Sequence, residues 1–263
     1  MPKPVKPLPD WEDLLSAACG LQSIVPGTTL VGGTAAAIHA KRHVSNDADH
    51  VMTDLRRNFN EILHQLESAV GWKTKRPVAP VMVLGSLDGI ETGVRRLIRS
   101  EPLETVDIDF RGEKLTVPTE AEILRIKAFL ILKRNATRDY LDFTALADHM
   151  GAVKSNEALR KFDKLYPQES GESALQQLMA QTSYPLPHDL AETDLSTYKN
   201  LAPRWQNWKN VMETLMRLAV DIFDLAPAPA PPPQVRPSPV SKASGPEDRR
   251  DSRARAAPKI KVP

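Results

Sequence analysis

The chain has 263 residues, 41% of them hydrophobic and 26% charged, with one cysteine and a formal net charge of +2. That is length enough for the core of one large or two small domains at ordinary globular composition. No run of about 18 apolar residues occurs, which argues against a membrane-spanning helix, and the single Cys19 excludes an internal disulfide, which predicts a cytoplasmic protein.

The charge is uneven. Residues 226–263 carry eight Lys and Arg against three acids, a net of +5, which leaves −3 for residues 1–225. Contact between the slightly acidic body and nucleic acid would therefore need a local basic patch.

Residues 1–9 are proline-rich, lack the apolar centre of a signal peptide and read as an extended arm. Asp10 is placed to cap a helix from Trp11 to about Ser23, on whose apolar side Cys19 falls, and Pro26-Gly27 marks the turn into a short strand at Leu30-Val31. Gly32-Gly33 follows. A glycine pair after a strand lets the backbone approach a bound group, and the amides of the next helix, Thr34 to Ala40, offer donors to phosphate. After a basic link, Lys41-Arg42-His43, the segment Ser45-Asn46-Asp47-Ala48-Asp49 enters a second strand at Val51-Met52. On an extended strand Asp47 and Asp49 point to one side. Two hard oxygen ligands on one face suit Mg2+, which binds through one or two carboxylates plus substrate phosphates.

This stretch, GGTAAAIHAKRHVSNDADH, resembles the signature of the DNA polymerase β-like nucleotidyltransferase superfamily, and in its finer pattern the AbiEii/AbiGii toxin family. One residue departs: that family places an apolar or aromatic residue after the second aspartate, where this chain has His50.

Asp54 is placed to cap a helix reaching about Val70, with Leu55, Phe59, Ile62, Leu63 and Leu66 as a core-facing stripe. Five strands are predicted next, at Trp72–Lys75, Val81–Leu84, Ile90–Leu97, Thr105–Phe110 and Lys114–Val117. Gly85-Ser86, Asp88-Gly89 and Arg111-Gly112 are the turn signals between them. Two-metal phosphoryl chemistry calls for a third carboxylate. Asp109 is preferred, with Asp107 and Glu91 as alternatives, and the competing reading of Asp107 and Asp109 is the exposed face of an edge strand.

Thr119 and Glu122 form a capping box at the head of an apolar helix, EILRIKAFLILKR, which contains Lys127. Lys127 is either a phosphate contact or a lysine with a packed stem and a solvated amine. The block KAFLILKRNATRDYLDF is also similar to the AbiEii-type pattern, and in it Asp139 and Asp142 are candidates to pair with Arg134 or Arg138. Helices are expected at Thr144–Met150, Asn156–Leu165, Ser173–Gln181 and Ala202–Phe223, and residues 226–263 read as a proline-rich, basic, disordered tail.

The expected architecture is thus α+β: a nucleotidyltransferase-like mixed sheet flanked by helices over residues 10–143, a helical domain over 144–225, and the tail. The resemblance implies an enzyme that moves a nucleoside monophosphate from an NTP to an acceptor, RNA or tRNA among them, as the toxin of a toxin–antitoxin or phage-defence pair with a cognate antitoxin. It implies the triphosphate over Gly32, Gly33 and Thr34, with Ser45 or Arg42 steadying it. Two Mg2+ ions would sit on Asp47, Asp49 and Asp109, with Lys127 balancing phosphate charge. The rivals are a small-molecule nucleotidyltransferase and a catalytically silent binding or regulatory protein on the same fold.

Overall fold

The computed structural model of the protein describes residues 9–40, 47–197 and 201–225. Residues 1–8 of the N-terminal arm, Arg42, Ser45 and the basic tail lie outside the described residues. The architecture is α+β. Helix α1 (Trp11–Ile24) starts at Asp10, whose carboxylate accepts from the Glu12 amide. Strand β1 (Thr29–Leu30), helix α2 (Gly32–Ala40), strand β2 (Asp47–Met52) and helix α3 (Leu55–Ser68) follow. Then come β3 (Trp72–Val78), β4 (Met82–Leu87) and β5 (Ile90–Arg96), and the hairpin β6 (Thr105–Phe110) and β7 (Glu113–Pro118).

The main sheet has five strands in the order β1-β2-β5-β4-β3, with β2 and β5 parallel and the other neighbours antiparallel; β6 and β7 form a separate two-stranded sheet. Asp88-Gly89 and Arg111-Gly112 are two-residue hairpin turns with positive φ at both positions, the geometry that matches the strands' own twist. Gly85-Ser86 is not a turn, as the sequence had predicted, but lies inside β4. A Cβ on Gly85 would come 2.5 Å from the Lys73 carbonyl oxygen and 2.5 Å from the Trp72 ring, so this glycine is required by close strand approach.

Beyond the sheet the chain is helical: α4 (Glu120–Arg134), α5 (Thr137–Met150), α6 (Ala152–Leu159), α7 (Phe162–Leu165), α8 (Ala174–Ser183) and α9 (Trp208–Phe223). The boundary expected between residues 143 and 144 falls inside α5, and the described residues up to 225 belong to one unit. Two buried clusters explain this. The smaller joins the end of α1 and the stripe of α3 to one face of the sheet through Leu21, Leu55, Phe59, Leu66, Trp72 and Val94. The larger runs without a break from α1, α2 and β7 into α4–α9, so no seam divides sheet from helices. Trp205 is buried in it, and Trp208 meets Tyr140 edge to face, as core and contact residues rather than base-stacking platforms.

Candidate active site

The backbone of β2 is pinned at three consecutive carbonyls. The Thr34 hydroxyl donates to the Asp47 carbonyl at 2.6 Å, the Thr92 hydroxyl to that of Ala48 at 2.6 Å, and the Val31 amide to that of Asp49 at 2.8 Å. Each bond removes freedom from the strand that carries the two aspartates. Gly32 opens α2 with φ +78°, and a Cβ built there would lie 3.9 Å from the Asp49 Cβ. The first turn of α2, whose amides have no partner within the helix, therefore stands directly against the carboxylate strand. Thr34 is buried with its hydroxyl committed to Asp47. Its side chain positions the strand.

Asp47 and Asp49 share one face of β2. Burial first, and the neighbouring Asp47 carboxylate second, push the Asp49 pKa up, while Arg95 and Arg134 act in the opposite sense. A carboxyl made harder to ionise by a like-charged neighbour is a donor that a cation would stabilise, so the pair fits Mg2+ as two of its oxygen ligands. Among the described residues no group of three His, Cys, Asp or Glu stands ready to hold an ion. The remaining ligands would have to come from phosphate, water or a carboxylate that first gives up its present partner.

The preferred third carboxylate, Asp109, is not brought to this pair. It lies on β6 in the other sheet, where its carboxylate accepts from the Gly112 amide at 3.3 Å and supports the hairpin turn. Asp107, on the same strand, accepts from the Thr116 hydroxyl at 2.8 Å. Glu91 is placed differently. Parallel pairing sets Asp47 opposite Glu91 and Asp49 opposite Gly93, and paired residues project to the same face. The alternation of β5 thus puts Glu91, Gly93 and Arg95 on the carboxylate face. Two cations that the sequence reading missed lie there: Lys75 Nζ is 2.7 Å from Glu91 Oε1, and Arg95 Nε is 3.6 Å from Asp49 Oδ1. Period-two counting from Glu91 would have found Arg95; Lys75 needed the strand order.

Lys127 is buried and its amine is bound to the Asp142 carboxylate at 2.5 Å, so it is neither a solvated lysine nor, in this arrangement, available to a phosphate. The pairing expected of Asp139 and Asp142 with Arg134 or Arg138 is replaced by this one. Asp139 is fully buried with neither oxygen hydrogen-bonded, and burial raises its pKa despite the nearby cations.

His50, the departure from the family pattern, is wholly buried, and burial brings its pKa down to about 4. A neutral imidazole fills the apolar position. Between its ordinary value of 6.5 and about 4, the unfolded chain binds a proton that the folded chain refuses, so stability falls as pH falls through that window. The expected loss is about 3 kcal/mol between pH 7 and 4. His50→Leu should remove that part of the dependence. Urea titrations of both proteins at pH 7 and 4.5 check it: equal losses would show that His50 is not the group responsible.

No family model matches the chain. It is 30% identical over 178 residues to the heme uptake protein MmpL11 of Mycobacterium tuberculosis H37Rv, covering 60% of this chain and 18% of that protein. It is 29% identical over 131 residues to the mycolic acid-containing lipids exporter MmpL11 of Mycolicibacterium smegmatis, covering 49% and 13%. The chain thus spans less than a fifth of the length of these relatives. Among the described residues no helix is long and apolar enough to cross a membrane. Among solved structures, ANT(2'')-Ia in complex with adenylyl-2''-tobramycin superposes with a TM-score of 0.43 at 12% identity, covering 58% of this chain and 97% of that one. A nucleotidyltransferase-like antigenic protein from Paracoccidioides brasiliensis gives 0.43 at 17%, covering 65% and 95%. Likeness this partial carries no argument about the chemistry of this chain.

Proposed function

We propose that the chain is a Mg2+-dependent nucleotidyltransferase that moves a nucleoside monophosphate from an NTP to an acceptor hydroxyl on RNA, tRNA included. The observation that carries this reading is the shared face of β2 and β5. Asp47 and Asp49 stand side by side there with Glu91 in register, against the glycine-opened first turn of α2. Triphosphate oxygens would meet the amides of Gly32, Gly33 and Thr34, and the two aspartates would hold the cation. Bound Mg2+ would lower the pKa of the attacking hydroxyl and offset charge on the leaving pyrophosphate. Thr34 and Thr92, by holding β2 in register, keep the carboxylates at fixed spacing.

In this reading Glu91 takes the role expected of Asp109. The resemblance in two separated motifs supports a cytoplasmic toxin neutralised by a cognate antitoxin encoded beside it. The heme uptake and lipid export named for the mycobacterial proteins belong to chains of which this one spans less than a fifth, and nothing on the β2–β5 face supports either for this chain. The test is incubation with labelled NTPs, Mg2+ and total RNA: label on RNA is the expected result, and label on small molecules alone would defeat the RNA acceptor.

A second reading is favoured by one observation: Lys75 and Arg95 already stand against Glu91 and Asp49, as in a fold whose catalysis has been lost. No pyrophosphate released from any of the four NTPs with Mg2+ and RNA would support it.

A further inference from the structure

We propose that Arg95 and Lys75 are the cations that dock the triphosphate, and that without ligand they rest on the carboxylates that will bind the metal. The proposal depends on the transferase reading and assigns residues that the two sequence motifs do not contain.

Arg95 is paired with Val51, one step along the face from the Asp49–Gly93 pair. Gly93 has no side chain, and a Cβ there would come 2.5 Å from the Val83 carbonyl oxygen and 2.9 Å from Leu84. No side chain can therefore stand on Gly93 between Asp49 and Arg95, and the Arg95 guanidinium reaches Asp49 past it. Its hold on Asp49 is loose. At 3.6 Å the contact is electrostatic and too long for a hydrogen bond, and the Arg95 side chain keeps 42% of its exposure. Among the described residues the guanidinium donates only to Met82 Sδ. A half-exposed guanidinium with most of its donors unspent is suited to bidentate phosphate binding. Lys75, 48% exposed and 2.7 Å from Glu91, is its counterpart from β3, beyond β4.

The consequence is an exchange of partners. A carboxylate that turns its oxygens to a divalent cation gives up its pairing with a guanidinium or ammonium group. The released cations then face the triphosphate that arrives with the metal. Mg2+ alone must displace Arg95, and triphosphate alone must displace Asp49 from Arg95, so each ligand should help the other to bind.

Arg95→Gln separates this role from a structural one because the two ligands respond with opposite signs. Measured by calorimetry on the full chain, Mg2+ alone should bind severalfold more tightly to Arg95→Gln than to wild type, since its competitor is gone. A non-hydrolysable nucleoside triphosphate with Mg2+, each base in turn, should bind about tenfold more weakly. Arg95→Lys should restore part of the nucleotide affinity, and Lys75→Met should reproduce the pattern if Arg95→Gln does not fold. If wild type binds both ligands and both substitutions leave both affinities unchanged, or move them in the same direction, the exchange is wrong and the transferase reading stands. If wild type binds neither Mg2+ nor any of the four nucleotides, both are overturned.

Discussion

Asp49→Ala should abolish nucleotidyl transfer while leaving the protein as stable as wild type or more so. Asp49 is held against its own preference: burial and the Asp47 carboxylate raise its pKa. A carboxyl whose folded pKa lies above its unfolded value contributes stability at low pH and loses it as pH rises through the folded value. At neutral pH the ionised side chain is therefore a cost, relieved when it is removed. Arg95, its partner at 3.6 Å, is exposed enough to be taken up by water, so losing that pairing offsets little. The ligand side should change in the other direction. Mg2+ with a non-hydrolysable triphosphate should raise the melting temperature of wild type by mass action and leave that of Asp49→Ala unmoved. Pyrophosphate release, two thermal scans and one added ligand decide the matter. An active Asp49→Ala protein would sink the metal site, and a variant that melts well below wild type would make Asp49 a structural residue.

The parts of this site that were legible in the sequence are those whose chemistry is local. Gly32 was readable because a glycine pair closing a strand marks a close backbone approach, and Asp47 and Asp49 because alternation along one strand needs no knowledge of its neighbours. The third carboxylate was not local. Asp109 was chosen because Val106-Asp107-Ile108-Asp109-Phe110 alternates as cleanly as β2 does. Yet among the described residues that strand pairs only with β7, whereas Glu91 comes beside Asp47 through a parallel pairing that a period-two pattern does not specify. Gly85 failed for a related reason. Glycine marks both turns and close approaches, and only the position of the Trp72 ring distinguishes them. Lys127 was read from its own helix, where an isolated lysine among apolar residues suggests either a phosphate contact or a solvated amine. The partner that buries it, Asp142, sits on the next helix.

The capping box at Thr119 leads to the largest stability effect expected of any single residue here. Half of it forms: the Thr119 hydroxyl accepts from the Glu122 amide at 3.2 Å. The other half does not, because the Thr119 amide donates to the Glu104 carbonyl and the Glu122 carboxylate is taken by stronger partners. Glu122 is fully buried and accepts from Arg99 at 2.7 and 3.0 Å, from Arg125 at 2.9 Å and from the Glu104 amide at 3.2 Å. Arg99 belongs to the segment after β5 and also donates to the Glu101 and Pro102 carbonyls; Arg125 also reaches Glu104 and the Ala158 carbonyl on α6. One carboxylate thus ties the exit of the sheet to the helical half. Glu122→Ala leaves two guanidinium groups in a dry site with two of their three ion pairs gone, and should cost about 3–5 kcal/mol, the usual price of an orphaned buried charge. Thr119→Ala removes only a cap and should cost about 1 kcal/mol. Glu122→Gln keeps the shape and one acceptor oxygen, and should fall between them. Urea unfolding of the three variants ranks them, with an insoluble Glu122→Ala replaced by its glutamine counterpart. If Glu122→Gln unfolds no more easily than Thr119→Ala, the buried network contributes nothing beyond the cap, and the apolar cluster alone joins the two halves.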